Sequence, residues 1–152
     1  TGCLMVDVVD TATRSRIMAG IRGRNTKPEI LVRSLLHRLG FRFRLHVGHL
    51  PGKPDIVLSR FRAAIFVHGC FWHGHDCRFF KWPQTRPDFW RKKIRSNRTS
   101  DLKAREALRA TGWRVGIVWE CAIRGADRDI ENVSRCIRKW LRSDRPFMEA
   151  RG

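Results

Sequence analysis

The feature that most constrains this chain is a ten-residue run, HGCFWHGHDC, at residues 68–77. It closes an apolar segment, AAIFVH (63–68), and from residue 69 onward is too rich in glycine, histidine, cysteine and aromatics to continue a strand. Cys70, His75 and Cys77 fall within eight residues on a glycine-broken loop, close enough to converge on one ion. Zinc accepts thiolate and imidazole together and takes four ligands in a tetrahedron, and a site closed by four protein ligands staples a fold and does not catalyse. The fourth donor must come from elsewhere. Cys121, at the end of VWEC, is the best candidate, because the end of a neighbouring strand can lie beside the loop. Spacing alone leaves His73 as an alternative to His75. Cys3, in the N-terminal arm, and Cys136, in an expected helix, read as ordinary thiols. Five cysteines, an odd number, and no export-type leader argue against a disulfide framework.

The segments on either side set the fold class. Thr26 and Glu29 have capping-box spacing, Pro28 suits a first turn, and Gly40 can end a helix whose apolar stripe is Ile30, Leu31, Leu35 and Leu39. Phe41, Phe43 and Leu45 alternate with Arg42, Arg44 and His46, which predicts a half-buried strand. DIVL (55–58) and AAIFVH (63–68) predict two more strands, with a turn over 59–62. Pro87, with Thr85 and Asp88 as start signals and Gly112 as stop, frames a long helix. WRVGIVWE (113–120) predicts a further strand, and residues 127–142 a closing amphipathic helix. The order αβββαβα implies an α/β architecture with a mixed central sheet. We expect a basic arm over residues 1–25 and one domain over 26–152.

Thirty-two Lys and Arg against fourteen Asp and Glu give a formal charge of +18, spread along the chain. An excess of this size calls for an anionic partner, and nucleic acid is the commonest, because each neutralised phosphate releases counterions. A solvated basic surface or an acidic membrane is the competing reading. No apolar run approaches the ~20 residues of a membrane helix. We therefore expect a soluble, intracellular protein.

Phosphodiester hydrolysis needs a hard cation on the scissile phosphate and a base for water. Asp55, after Pro54 at the start of a strand, is placed to hold Mg²⁺, although a strand-starting aspartate is more often simply hydrated. His73, if surplus to the zinc set, is a candidate general base. His68, at the end of a strand, points to the same sheet edge.

LPGKPDIV (50–57), IFVHGCFWHGHDC (65–77), TRPDFW (85–90) and GWRVGIVWECAIRG (112–125), with TATRSRIMAGIRGRNTKPE (11–29), resemble the signature blocks of the very short patch repair endonucleases. The resemblance covers roughly residues 10–125, and its motifs are long and contain rare residues. It implies a restriction-endonuclease-like fold and a nick on the 5′ side of the thymine in a T:G mismatch left by deamination of 5-methylcytosine. Carried over by position, Asp55 matches the Mg²⁺ carboxylate, Val67 a residue lending its backbone carbonyl to the metal, and His73 the general base. His68, Glu29 and Asp101 match residues supporting the metal's water. Cys70, His75, Cys77 and Cys121 match the structural zinc ligands. Phe71, Trp72 and Trp90 match aromatics that wedge into the duplex, Met18 an apolar residue of a minor-groove arm, and Lys93 and Asn97 residues at the mismatched pair.

Lys93, Asn97 and Asp101 at i, i+4, i+8 share one helix face with Trp90, which suits DNA contact as well as plain solvation. Two aromatics on a polar loop suit a wedge, because unstacking is cheapest at a weakened pair; folding back onto the sheet is the alternative. The chain departs from the family pattern at Val67, where Thr is usual, and at Gly74 and Asp76, where His is usual. Val67-His68-Gly69 stands where the wider superfamily carries an acid-x-Lys pair. The resemblance further implies bacterial, nucleoid-associated action as a monomer alongside mismatch-repair proteins. Two other readings stay open: a nuclease of the same fold with another mismatch or site specificity, and a non-catalytic zinc-dependent DNA-binding module.

Overall fold

The structure is a computed structural model that describes residues 25–125 and 128–152. Apart from Asn25, the expected arm, Met18 and Cys3 included, lies outside the described residues.

Helix α1 (Lys27–Arg38) starts at Thr26, whose hydroxyl accepts from the Glu29 N–H. The reciprocal half of the capping box is shifted by one residue: the Glu29 carboxylate accepts from the Asn25 N–H at 2.6 Å and not from Thr26. The helix ends at Leu39, followed by Gly40 at φ +83°. Its buried face is Glu29, Val32, Leu35 and Leu36, whereas Ile30 and Leu31 are exposed. This corrects the expected stripe, because a carboxylate occupies an inward position and rotates the apolar face past residues 30 and 31.

The strand expected over 41–45 pairs only at Arg44–Leu45 (β1). It is followed by β2 (Ile56–Leu58), a 3₁₀ turn at Ser59–Phe61 and β3 (Ala63–His68). Helix α2 (Pro87–Ala110) carries Pro87 in its first turn and stops before Gly112, at φ +87°. Its N-cap is Arg86, with no side-chain cap bond, so Thr85 does not start it. Then come β4 (Arg114–Trp119), a short α3 (Glu120–Ile123), α4 (Ile130–Leu141), capped by Asp129, and a strand the sequence reading missed, β5 (Phe147–Ala150).

The five strands form one mixed sheet in the order β1-β2-β3-β4-β5. β1, β2 and β3 run antiparallel, while β3, β4 and β5 run parallel. The long α2 crossover makes the parallel β3–β4 pairing possible. Their register aligns His68 with Trp119, so both chains leave the sheet at the same end. Leu36, Ile65 and Ile137 are fully buried in one core, on the sheet face covered by α1 and α4. Ala64, Leu108 and Val115 form a second, smaller core under α2. Each large aliphatic side chain removed from water contributes about 1.5–3 kcal/mol. No helix of the described residues is long and apolar enough to cross a membrane.

Candidate functional site

Where β3 and β4 end, the loop after β3 meets three elements. Cys70, His75, Cys77 and Cys121 bring their donor atoms within 4.8 Å of one another. Gly74 makes this possible: its backbone is left-handed at φ +60°, and a Cβ there would stand 2.6 Å from Ile94 Cγ2. Trp119 sets the imidazole of His75 by stacking on it, centroids 4.0 Å apart and planes within 7°, and His75 Nδ1 lies 3.5 Å from Cys121 Sγ. Burial and the neighbouring thiols Cys77 and Cys121 push the Cys70 thiol up. Three thiols and an imidazole crowded in this way fit a divalent soft-to-borderline ion, which favours thiolate. His75, not His73, joins the cysteines. Cys136 lies on α4, away from this set.

His73 belongs to a second cluster with His68 and Asp101. Its Nδ1 is hydrogen-bonded to Asp101 Oδ2, and its ring stacks on His68 at 3.9 Å and 7°. His68 Nε2 lies 3.9 Å from Asp101 Oδ1. Burial, reinforced by His73, lowers the His68 pKa to about 3, so His68 is neutral at physiological pH. Its Nδ1 is buried with no hydrogen-bond partner among the described residues.

Asp55 sits immediately before β2, and its Oδ2 accepts from the Val67 N–H at 2.8 Å, which ties β2 to the end of β3. Burial raises its pKa to about 6 against the lowering effect of that N–H; Glu29 raises it further, while His46 and His73 lower it. Glu29, His46 and Asp55 place their donor atoms within 4.8 Å of one another, a third cluster of ligand type. Two acids packed in this way with only partial countercharge fit a hard divalent cation. The sequence reading missed His46. Its contact with Glu29 depends on how α1 docks beside the β1–β2 ladder, which no local spacing encodes.

Helix α2 turns its polar stripe inward. Trp90, Lys93, Ile94, Asn97, Asp101, Ala104, Arg105 and Leu108 are its less exposed positions at helical spacing. Asn97 Nδ2 donates to the Trp72 carbonyl at 2.8 Å, and Asp101 holds His73, so this face braces the loop. Phe71, Trp72 and Trp90 pack on one another with centroids 5.2–5.8 Å apart. All three remain partly exposed and do not fold back into the core. Arg86 and Arg91 stand over the neighbouring Phe89 and Trp82 rings.

A mixed five-stranded sheet carrying clusters of acids and histidines is consistent with a restriction-endonuclease-like nuclease. Residues 6–79 match the family described as DNA mismatch endonuclease Vsr. The chain is 45% identical over 138 residues to the DNA mismatch endonuclease Vsr of Escherichia coli, covering 90% of this chain and 88% of that protein. It is 50% identical over 119 residues to the type II nicking enzyme V.XorIIP of Xanthomonas oryzae pv. oryzae, covering 78% and 88%. Against the type II nicking enzyme V.NmeAIP of Neisseria meningitidis the identity is 41% over 135 residues, covering 89% and 96%. The chain belongs to the Vsr family of DNA mismatch endonucleases. It acts on DNA as an endonuclease, so the reading as a non-catalytic binding module falls away.

Proposed function

We propose that the protein nicks one strand of duplex DNA 5′ of the thymine in a T:G mismatch, by Mg²⁺-dependent hydrolysis with His73 as general base. The observation that carries this reading is the hydrogen bond between His73 Nδ1 and the Asp101 carboxylate. A carboxylate accepts, so this contact favours the tautomer with the proton on Nδ1, the one whose Nε2 can act as a base. His68, stacked on His73, is uncharged at neutral pH, so it does not repel the imidazolium that forms. Asp55 and the Val67 carbonyl would hold Mg²⁺, with Glu29 and His68 around it. When bound, the ion polarises the phosphate and acidifies water.

The zinc reading assigns Cys70, His75, Cys77 and Cys121 to a structural ion that holds His73 and the wedge residues on one rigid loop. Phe71, Trp72 and Trp90 enter the duplex at the mismatch, and Lys93 and Asn97 lie beside the mispair. The enzyme works as a monomer in the bacterial cytoplasm, on nucleoid DNA, with mismatch-repair proteins acting on the nick.

The test is a panel of end-labelled duplexes carrying each mismatch and the matched T:A pair, in several flanking contexts, with Mg²⁺. Nicking of the T strand in T:G alone is the expected result. Equal cleavage of other mismatches, or of a matched site, would leave the fold reading intact and overturn the substrate.

A further inference from the structure

Within the Glu29–His46–Asp55 cluster, His46 is the member to which the proposed chemistry gives no task. It lies on the connection leaving β1, with a left-handed backbone at φ +49°. That conformation is unfavourable for a residue with a Cβ and persists only where the surroundings impose it. Here they do. The His46 N–H donates to the Asp55 carbonyl at 3.1 Å, extending the β1–β2 ladder one step beyond the Leu45–Ile56 pair. The two residues are therefore neighbours at the open end of the sheet.

From that position His46 Nε2 reaches Glu29 Oε1 at 2.5 Å. A purely structural role would be to anchor Glu29, but this carboxylate is already held by Arg33 at 3.1 Å and by the Asn25 N–H at 2.6 Å. The ring nitrogen is also caught between incompatible partners. Arg33 Nη2, only a donor, lies 3.4 Å from the same Nε2 that faces an acceptor carboxylate. A protonated Nε2 satisfies Glu29 and opposes Arg33, whereas a lone pair there suits Arg33 and opposes Glu29. A cation drawn in among Nε2, the Glu29 carboxylate and the Asp55 carboxylate satisfies the lone pair and both acids together, and the three donors already lie within 4.8 Å.

We propose that His46 is a nitrogen ligand of the divalent ion at Asp55, completing a Glu29–His46–Asp55 site that takes Mn²⁺ or Co²⁺ in preference to Mg²⁺. This rests on the reading that the Asp55 cleft binds a divalent cation. The selectivity follows from ligand chemistry: Mg²⁺ takes oxygen donors and retains its waters, while imidazole suits the later transition ions.

The experiment titrates Mn²⁺ into the zinc-loaded protein and reads free Mn²⁺ by electron paramagnetic resonance, with pulsed measurement of nitrogen coupling to the bound ion. Wild type, His46→Gln, His46→Asn and Asp55→Asn are compared, and Mg²⁺ affinity is read by competition. Asparagine tolerates the left-handed backbone and so controls for folding. We expect both His46 variants to weaken Mn²⁺ about tenfold or more, to change Mg²⁺ less than about threefold, and to lose the nitrogen coupling. Unchanged Mn²⁺ affinity in both His46 variants, or nitrogen coupling that survives them, overturns the proposal. If Mn²⁺ binding then still depends on Asp55, only the His46 assignment has failed. Mn²⁺ bound equally by Asp55→Asn overturns the cleft reading and this proposal with it.

Discussion

His68 and His73 stack face to face, 3.9 Å between ring centroids, yet only His73 is tied to Asp101 by a short hydrogen bond. Two imidazoles in van der Waals contact are thus differentiated, one buried and neutral, the other held at Nδ1 by a carboxylate. Replacing His73 by Ala should lower single-turnover nicking about 10²–10⁴-fold, the usual worth of a positioned base. Asp101→Asn should cost less than removing the base while leaving duplex affinity within about threefold. Rapid-quench kinetics on a labelled T:G duplex decide this, and wild-type rates in His73→Ala would remove it as the base.

Asp55 carries a clear pH signature. Its pKa is about 6 in the folded protein, against about 3.9 unfolded, so the native state holds the proton more tightly. Stability therefore falls as pH rises from about 4 to about 6, and the cost persists above that. Asp55→Asn, measured without added Mg²⁺, should be more stable than wild type at pH 8 by up to about 3 kcal/mol, with the gap closing below about pH 4. The same variant should not nick. Chemical denaturation at both pH values gives the comparison, and a gap independent of pH would contradict the buried-acid account.

The four-donor cluster predicts a tightly held zinc ion. Cys121→Ser should lose it and unfold at markedly lower temperature, while Cys136→Ser, on α4, should match wild type in metal content and melting. Elemental analysis with thermal melts reads both. Full zinc retention in Cys121→Ser would remove that residue from the set.

The aromatic trio predicts selective loss of affinity. Trp72→Ala or Trp90→Ala should weaken binding to a T:G duplex by about 1–3 kcal/mol, with a smaller effect on matched DNA. Asn97→Ala should weaken it indirectly, by releasing the Trp72 carbonyl. Equal losses on matched and mismatched duplexes would make these rings general contacts and not a wedge.

With +18 formal charge, DNA affinity should fall steeply and log-linearly with salt. A fluorescence-anisotropy series between 50 and 200 mM salt, roughly the range where such losses reach orders of magnitude, provides the slope. Salt-insensitive binding would remove the electrostatic account.

The legible parts of this molecule were those written locally. The cysteine–histidine spacing of the 70–77 loop and the Gly40 and Gly112 stops each depend on neighbours in sequence; the loop donors come together and the two helices stop where expected. The choice between His73 and His75 was not local. His75 stacks on Trp119, brought alongside by the β3–β4 register, and His73 is held by Asp101 on α2. β5 escaped notice because FMEA is short and carries a glutamate; parallel pairing with β4 makes it a strand. Burial of Glu29 was hidden for a related reason. Its partners Arg33 and His46 make an inward carboxylate tolerable, and His46 lies beyond the end of β1, far from Glu29 in sequence.

The alignment of β3 with β4 has a kinetic corollary. Three donors lie close together in sequence, but the fourth, Cys121 on α3, lies 44 residues beyond Cys77 and arrives only when the preceding strand β4 docks in parallel on β3, a non-local and therefore slow event. An incoming ion would be gripped loosely by the early loop and locked only at that docking. The rate at which the metal becomes resistant to a chelator would thus time the closure of the sheet, and a one-residue slip in pairing would leave the ion exchangeable.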